Sequence, residues 1–150
     1  MMLEYWQNPT ATREKFRGDW LVTGDRGIVE GDHIRFVGRD DDVITSAGYR
    51  IGPSAIENCL MGHDAVAGAA VVGKPDPTRT EIVKAYIKLK DNAAGTTDLI
   101  KELQTYVAEN LAAHEYPREI EFVTDFPMTV TGKIIRKDLK ARASAEVGAE

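Results

Sequence analysis

The sequence predicts an α+β layer fold, in which helices interleave with a small mixed β-sheet, and three observations carry that expectation. "AVAGAAVVG" is an unbroken run of small apolar residues, as suits a strand covered on both faces. "IVKAYIKLK" alternates Val83, Ala85, Ile87 and Leu89 with Lys84, Lys88 and Lys90, the period of a half-exposed strand. Leu99, Leu103, Tyr106, Val107 and Leu111 then recur at helical spacing. The first strand is expected to lie at the centre of the sheet and the second to be half exposed.

The remaining elements follow in chain order. "NPTATREKF" opens a short helix, because Asn8 can accept hydrogen bonds from free first-turn amides and Pro9 suits the first helical position. "RGDWLVTGD" reads as a short strand entering a turn. In "GIVEGDHIRFVGR" two apolar runs flank Glu30-Gly31-Asp32, and Ile34 and Phe36 alternate with Arg35 as in a half-buried hairpin. "VITSAGYRI" is a second small hairpin. In "GPSAIENCL" Ser54 and Glu57 stand at capping-box spacing, and Ile56, Cys59 and Leu60 share a helix face. Beyond Pro117, "EIEFV" is another strand, and "ASAEVGAE" reads as a frayed tail.

Composition excludes several classes. The chain has 150 residues, 43% hydrophobic and 29% charged, enough for one real core. A net charge of -5 offers no global field for nucleic acid or an anionic membrane, so any use of phosphate is local. The single cysteine, Cys59, rules out an internal disulfide and a thiolate-rich zinc site, and it points to a buried, inert thiol in a reducing, cytoplasmic compartment. No signal-length apolar core opens the chain and nothing approaches about 18 consecutive apolar residues, so no membrane span is expected. His33, His63 and His114 have no nearby nucleophile or ligand spacing and are read as surface residues.

Three stretches carry more polar and glycine detail than packing requires. "VTGD" exposes the Asp25 carboxylate at the end of a strand, where it could accept two hydrogen bonds from a vicinal diol such as a ribose, although turn aspartates also serve structure alone. "GRDDDV" sets Asp40, Asp41 and Asp42 beside Arg39. That cluster lacks the alternating oxygen ligands of a calcium loop, so no metal site is expected and a solvated joint between packed units fits better. "TVTGKIIRK" lacks the glycine and the hydroxyl of a phosphate loop. It leaves Lys133 on a flexible Thr-Gly approach, with Ile134 and Ile135 packing the segment down and one ammonium held out for an anion.

Together and in this order, "WLVTGD", "GRDDDVITSAGYRIGPSAIE" and "TVTGKIIRK" resemble the C-terminal signatures of the adenylate-forming acyl-CoA synthetase superfamily, and "SAGYRIGPSAIE" with "EYPREIEFV" is most similar to its medium-chain or acetyl-type members. The resemblance implies that residues 1–40, hairpin included, end a large adenylation domain, that Asp41 is the hinge, and that 41–143 form a small mobile domain followed by a tail at 144–150. It implies ATP with Mg2+, the latter held mostly outside this chain, and coenzyme A as co-substrate. Asp25 and Arg39 would hold the ribose, and Lys133 would stabilise charge on the α-phosphate during adenylation. Ala47, Gly48, Tyr49 and Arg50 would form the coenzyme A face, with Arg79, Tyr116 and Arg118 meeting its nucleotide. One departure stands out: where the family usually has Pro-Lys-Thr, Met128 follows Pro127. The partners expected are the large N-terminal domain and a carboxylic acid, with no nucleic acid. Loading of a carrier protein, or a stand-alone nucleotide-binding or interaction module, are the competing functions, and neither acyl chain length nor oligomeric state is legible here.

Overall fold

The computed structural model describes residues 2–147 and divides into two compact units, Met1–Asp41 and Asp42–Glu150. In the first unit α1 (Pro9–Lys15) begins as its sequence demands, with Asn8 Oδ1 accepting the Ala11 N–H at 3.0 Å. Instead of one short strand there is a minimal antiparallel pair, β1 (Phe16–Arg17) and β2 (Trp20–Leu21), because Gly18 at φ +60° reverses the chain between them. β3 (Asp25–Glu30) and β4 (His33–Arg39) form the expected hairpin. It is not half-buried, however: Ile34 and Phe36 are 76% and 61% exposed. Its alternation marks a face that the described residues leave largely uncovered. Asp40–Asp42 then make one turn of 3-10 helix.

The second unit contains β5 (Ile44–Ser46), β6 (Tyr49–Ile51), α2 (Pro53–Met61), β7 (Val66–Asp76), β8 (Thr80–Leu89), α3 (Thr97–Asn110), β9 (Glu119–Phe122) and α4 (Arg136–Val147). Its sheet runs β6-β5-β8-β7, with β9 also on β8. The β8/β9 pair is parallel and the others antiparallel, so the predicted α+β fold with a mixed sheet is the fold observed.

The order of the two long strands reverses the expectation. β7 pairs only with β8, from Val66 opposite Leu89 to Asp76 opposite Thr80, and is an edge strand. β8 is central: β5 meets it at Thr80, and β9 meets it from Lys84 to Ile87. Lys84, read from its alternation as solvent-facing, is 3% exposed. The cause lies far along the chain, because α4 covers that face and brings Glu146 to the lysine at 2.5 Å.

Period-two alternation divides the core into two clusters on opposite faces of the sheet. Ala69, Val71, Val83 and Ala85 meet α2 and α3, whereas Ala70, Val72 and Tyr86 meet Leu139 and Ala143 of α4. Three layers result, and Tyr86 fastens two of them by donating its hydroxyl to the Leu139 carbonyl at 3.3 Å. Cys59 sits partly buried against the first cluster, and burial raises its pKa, as expected of an inert thiol.

The capping box at the start of α2 does not form. Gly52 caps the helix without a side-chain bond, and Glu57 is buried elsewhere. Its Oε1 accepts the Val71 N–H at 2.9 Å and its Oε2 meets Arg136 at 2.6 Å. An edge strand leaves outward N–H groups that need an acceptor, and Glu57 supplies one. The frayed tail is likewise replaced: α4 continues through Val147, because Ala143 is buried and Glu146 bonds Lys84 and Lys74. Residues 148–150 of that stretch lie outside the described residues.

Under α4, Lys74 and Lys84 share Glu119, Glu121 and Glu146, and Arg142 also pairs with Glu121. Burial works against the Lys84 charge, but its hydrogen bonds to Glu146 and Glu121 hold its pKa above the ordinary value. Hydrogen bonds from Lys84 and then Lys74 lower the pKa of Glu146. A carboxylate with a depressed pKa stabilises the fold above its unfolded value and ceases to do so as pH falls through the folded one. Glu146→Gln is therefore expected to destabilise the chain by about 1–3 kcal/mol at pH 7. In urea titrations, the gap between wild type and variant should be full above pH 4.5 and shrink below it. A gap independent of pH would mean that the carboxylate charge is not what holds α4.

Candidate functional site

The residues singled out by sequence fall into three groups. In the first unit, Asp25 and Arg39 are directly opposed in the β3/β4 ladder, which sets both side chains on one face of the hairpin. Thr23 Oγ1 accepts the Asp25 N–H at 3.1 Å and fixes the turn, while Gly24, at φ +81°, carries the chain past the Arg39 guanidinium. Arg39 also holds Asp41, with Nε 2.9 Å from the carboxylate, and Asp40 pairs with Arg26. Asp40 and Asp41 are thus partnered, exposed carboxylates at the end of the first unit, whereas the Asp42 side chain is largely buried.

The second group assembles along one edge of β8. The Ala47-Gly48 turn between β5 and β6 has φ of +49° and +84°, as a two-residue turn of primed type requires. Glycine adopts that conformation freely, but alanine is strained there. A second strained residue lies against it, since Thr80, opposite Ser46 in the ladder, has φ +72°. The Ala47 N–H donates to the Arg79 carbonyl at 3.0 Å, and Asp76 Oδ1 shapes the approach by accepting the N–H groups of Thr78 and Arg79.

β9 begins on the same edge of β8, where the Arg118 N–H donates to the Val83 carbonyl at 2.9 Å. The Arg118 guanidinium lies 5.2 Å from the Tyr116 ring, and Tyr116 packs on the first core cluster. Exposed Tyr49 stacks on His114, with ring centres 4.1 Å apart and planes at 16°. Arg50 lies beside Tyr49 on β6, opposite Thr45. The fold therefore gathers Ala47, Gly48, Tyr49, Arg50, Arg79, Tyr116 and Arg118 along one sheet edge, around two strained residues.

His114 is exposed, as its sequence reading has it, but its stacking on Tyr49 carries no sequence signal, since only the α3 to β9 loop brings the two together. His63 is more than a surface residue: it lies edge-on to Tyr106, accepts the Ala65 N–H and reaches Glu102 at 3.2 Å.

Lys133 stands apart on the α4 side. Its approach is a built turn rather than a flexible one. The Thr129 carbonyl accepts the Gly132 N–H, the Thr129 N–H donates to the Lys133 carbonyl, and Thr129 Oγ1 accepts the Lys133 N–H. Gly132, at φ +77°, closes this three-residue loop. A backbone bridge from Met128 to Ile134 and a bond from the Ile135 N–H to the Pro127 carbonyl pin its base, and Ile134 packs on the second cluster. Lys133 itself is exposed, and its ammonium makes no ion pair with the described residues. The turn thus holds out a positive charge that can answer an external anion. Among the described residues no three His, Cys, Asp or Glu side chains cluster as metal ligands would, and no helix is long and apolar enough to cross a membrane.

Gly132→Ala would strain the turn by about 1–2 kcal/mol. Amide exchange at Gly132 and Lys133 should speed up while the amides of α2 keep their protection. Unchanged exchange at both positions would show that the turn does not depend on the glycine.

Comparison with known proteins gives a consistent picture. The model of the AMP-binding enzyme C-terminal domain matches residues 55–133. The chain is 49% identical over 139 residues to the mitochondrial acyl-coenzyme A synthetase ACSM2B of Homo sapiens, covering 91% of this chain and 24% of that protein. It is 46% identical over 145 residues to mitochondrial ACSM2 of Rattus norvegicus, covering 95% and 25%. Among solved structures, the anthranilate CoA ligase AuaEII in complex with anthranoyl-AMP superposes with a TM-score of 0.89 at 39% identity, over 97% of this chain and 28% of that one. An acyl-CoA synthetase of Brucella canis gives 0.69 at 50% identity, over 86% and 24%. The chain thus spans about a quarter of the length of the curated relatives it matches.

Proposed function

The chain belongs to the family of AMP-binding enzyme C-terminal domains, and on that footing we propose that it is the C-terminal part of an ATP-dependent acyl-CoA synthetase. The enzyme activates a carboxylic acid in two steps. A carboxylate oxygen bonds to the α-phosphorus of ATP and pyrophosphate leaves; the thiolate sulfur of coenzyme A then bonds to the acyl carbon and AMP leaves. The single observation that carries the reading is the Lys133 turn, a hydrogen-bonded loop presenting one ammonium that makes no ion pair among the described residues. Such a group contributes charge stabilisation at the crowded phosphorus and moves no proton.

In this proposal Asp25 and Arg39 bind the ribose hydroxyls, as their opposed placement on one hairpin face supports. Magnesium arrives with ATP and is held mostly by the preceding large domain, whose last segment is 1–40 and whose surface covers the exposed Ile34 and Phe36 face. Asp41 is the hinge, and its carboxylate on Arg39 ties it to the ribose site. The strained turn at Ala47 and Gly48 supports the pantetheine role, because a side-chain-poor turn lets a thin arm pass close to backbone. Tyr49 and Arg50 flank that arm, and Arg79 and Arg118, with Tyr116 beside them, are the cations for the nucleotide phosphates. A reducing compartment, cytoplasmic by the sequence reading, is kept in the proposal.

The first test is Lys133→Ala in the full-length enzyme that carries this chain. Pyrophosphate exchange should fall by about 100-fold or more, while thioester formation from supplied acyl-adenylate stays within a few-fold. Exchange at the wild-type rate would remove Lys133 from the mechanism. The 150-residue chain alone should form no acyl-CoA and bind ATP only weakly in calorimetric titration, since it holds part of each site. Tight binding by the isolated chain would favour a stand-alone nucleotide-binding module.

A further inference from the structure

Three residues beyond Lys133, the Arg136 guanidinium lies between two carboxylates from distant parts of the second unit. One of its terminal nitrogens is 2.6 Å from Glu57 Oε2 and the other is 3.8 Å from Asp42 Oδ2. Both carboxylates are largely buried, with side chains 9% and 15% exposed. Glu57 is itself fixed, because its other oxygen accepts the Val71 N–H at the free edge of β7. Asp42 is the first residue of the second unit. Arg136 therefore joins four things: the start of α4, the middle of α2, the edge of the sheet and the point where the chain enters the unit.

A planar fork suits this junction and a lysine would not, since one ammonium cannot face two acceptors across that span. The guanidinium also leaves its Nε buried without a hydrogen-bond partner among the described residues, an arrangement that stability alone does not favour. Between Arg136 and Lys133 only Ile134 and Ile135 intervene, and both are tied by backbone bonds to the other arm of the turn. Whatever fixes Arg136 fixes the base of the Lys133 turn.

We propose that Arg136 is a positioning residue for Lys133: its clamp on Glu57 and Asp42 makes the lysine turn a rigid part of the second unit, so that any displacement of the unit is delivered undamped to the ammonium. This rests on the adenylation role proposed for Lys133. The chemistry needs such rigidity, because a charge misplaced by about 1 Å can lose up to a hundredfold in rate.

The test compares Arg136→Lys, Lys133→Ala and Leu103→Ala in the full-length enzyme. Leu103→Ala loosens the first core cluster, away from the Lys133 turn and without touching the clamp, and so controls for lost stability. Arg136→Lys should lower pyrophosphate exchange about 10- to 100-fold at nearly unchanged KM for ATP, with thioester formation from supplied acyl-adenylate within about twofold. Leu103→Ala should not separate the two half-reactions. If Arg136→Lys leaves exchange within about twofold of wild type while Lys133→Ala abolishes it, the clamp is overturned and the role of Lys133 stands. The clamp also falls if Arg136→Lys and Leu103→Ala reduce both half-reactions in parallel. Amide exchange of Gly132 and Lys133 gives a reading independent of catalysis. Faster exchange in Arg136→Lys but not in Leu103→Ala supports the clamp even where Lys133→Ala proves harmless, and equal rates in all variants overturn it.

Discussion

The antiparallel ladder between β7 and β8 is the constraint from which the rest of the second unit follows. It is the longest pairing in the sheet, running from Val66 opposite Leu89 to Asp76 opposite Thr80. A register slip of one residue would exchange the residues meeting α2 and α3 with those meeting α4, so two separate apolar clusters hold the register at once. With the register fixed, Thr80 falls where β5 can reach it and Lys84 to Ile87 fall where β9 can. The sheet edge that collects the predicted coenzyme A residues is therefore a product of the ladder. Strain at Ala47 and Thr80 is tolerated because the pairing around them is over-determined.

The same ladder explains why a charged residue is buried at the centre. Lys84 belongs to the face that α4 covers, flanked by Tyr86, and its ammonium is enclosed by Glu121 and Glu146. Replacing such a cluster by apolar residues is often no worse for stability. What the charges add is registration. A greasy face would let α4 slide or rotate, whereas Glu146 can serve both Lys74 and Lys84 only in one placement. Because α4 follows directly from the Lys133 turn, that registration also governs where the turn begins.

Legibility in the sequence followed the range of the interactions involved. Local patterns gave the α1 cap, both hairpins, the α3 stripe and the turn glycine before Lys133 correctly. What failed depended on partners far away. Glu57 stood at capping-box spacing, yet Val71 and Arg136 had a stronger claim on its carboxylate. Lys84 alternated like a surface residue until Glu146 arrived 62 positions later. The inversion of β7 and β8 has a similar origin. An apolar run shows that both faces are covered but says nothing about which edges are paired, and faces and edges are independent properties of a strand. Of the candidate sites, the pairing of Asp25 with Arg39 followed once the hairpin register existed, whereas the stacking of His114 on Tyr49 had no signal in either segment.

The second unit also carries its two sets of candidate site residues on different supports. The Lys133 turn hangs from α4 and the second core cluster, and the Ala47 to Arg50 face hangs from the β5, β6 and β8 edge and the first cluster. Between them lies one continuous sheet, which cannot bend without breaking ladder bonds. In the proposed function the unit offers one set of groups or the other to a common partner by turning as a body, so the freedom it requires sits outside the sheet. In the same proposal that freedom sits at Asp40 and Asp41, whose carboxylates stay exposed, while Asp42, held by Arg136, anchors the start of the second unit. On that proposal, rigidity in the sheet and solvation at the joint are two requirements of one design, and weakening either would blur the distinction between the two presentations.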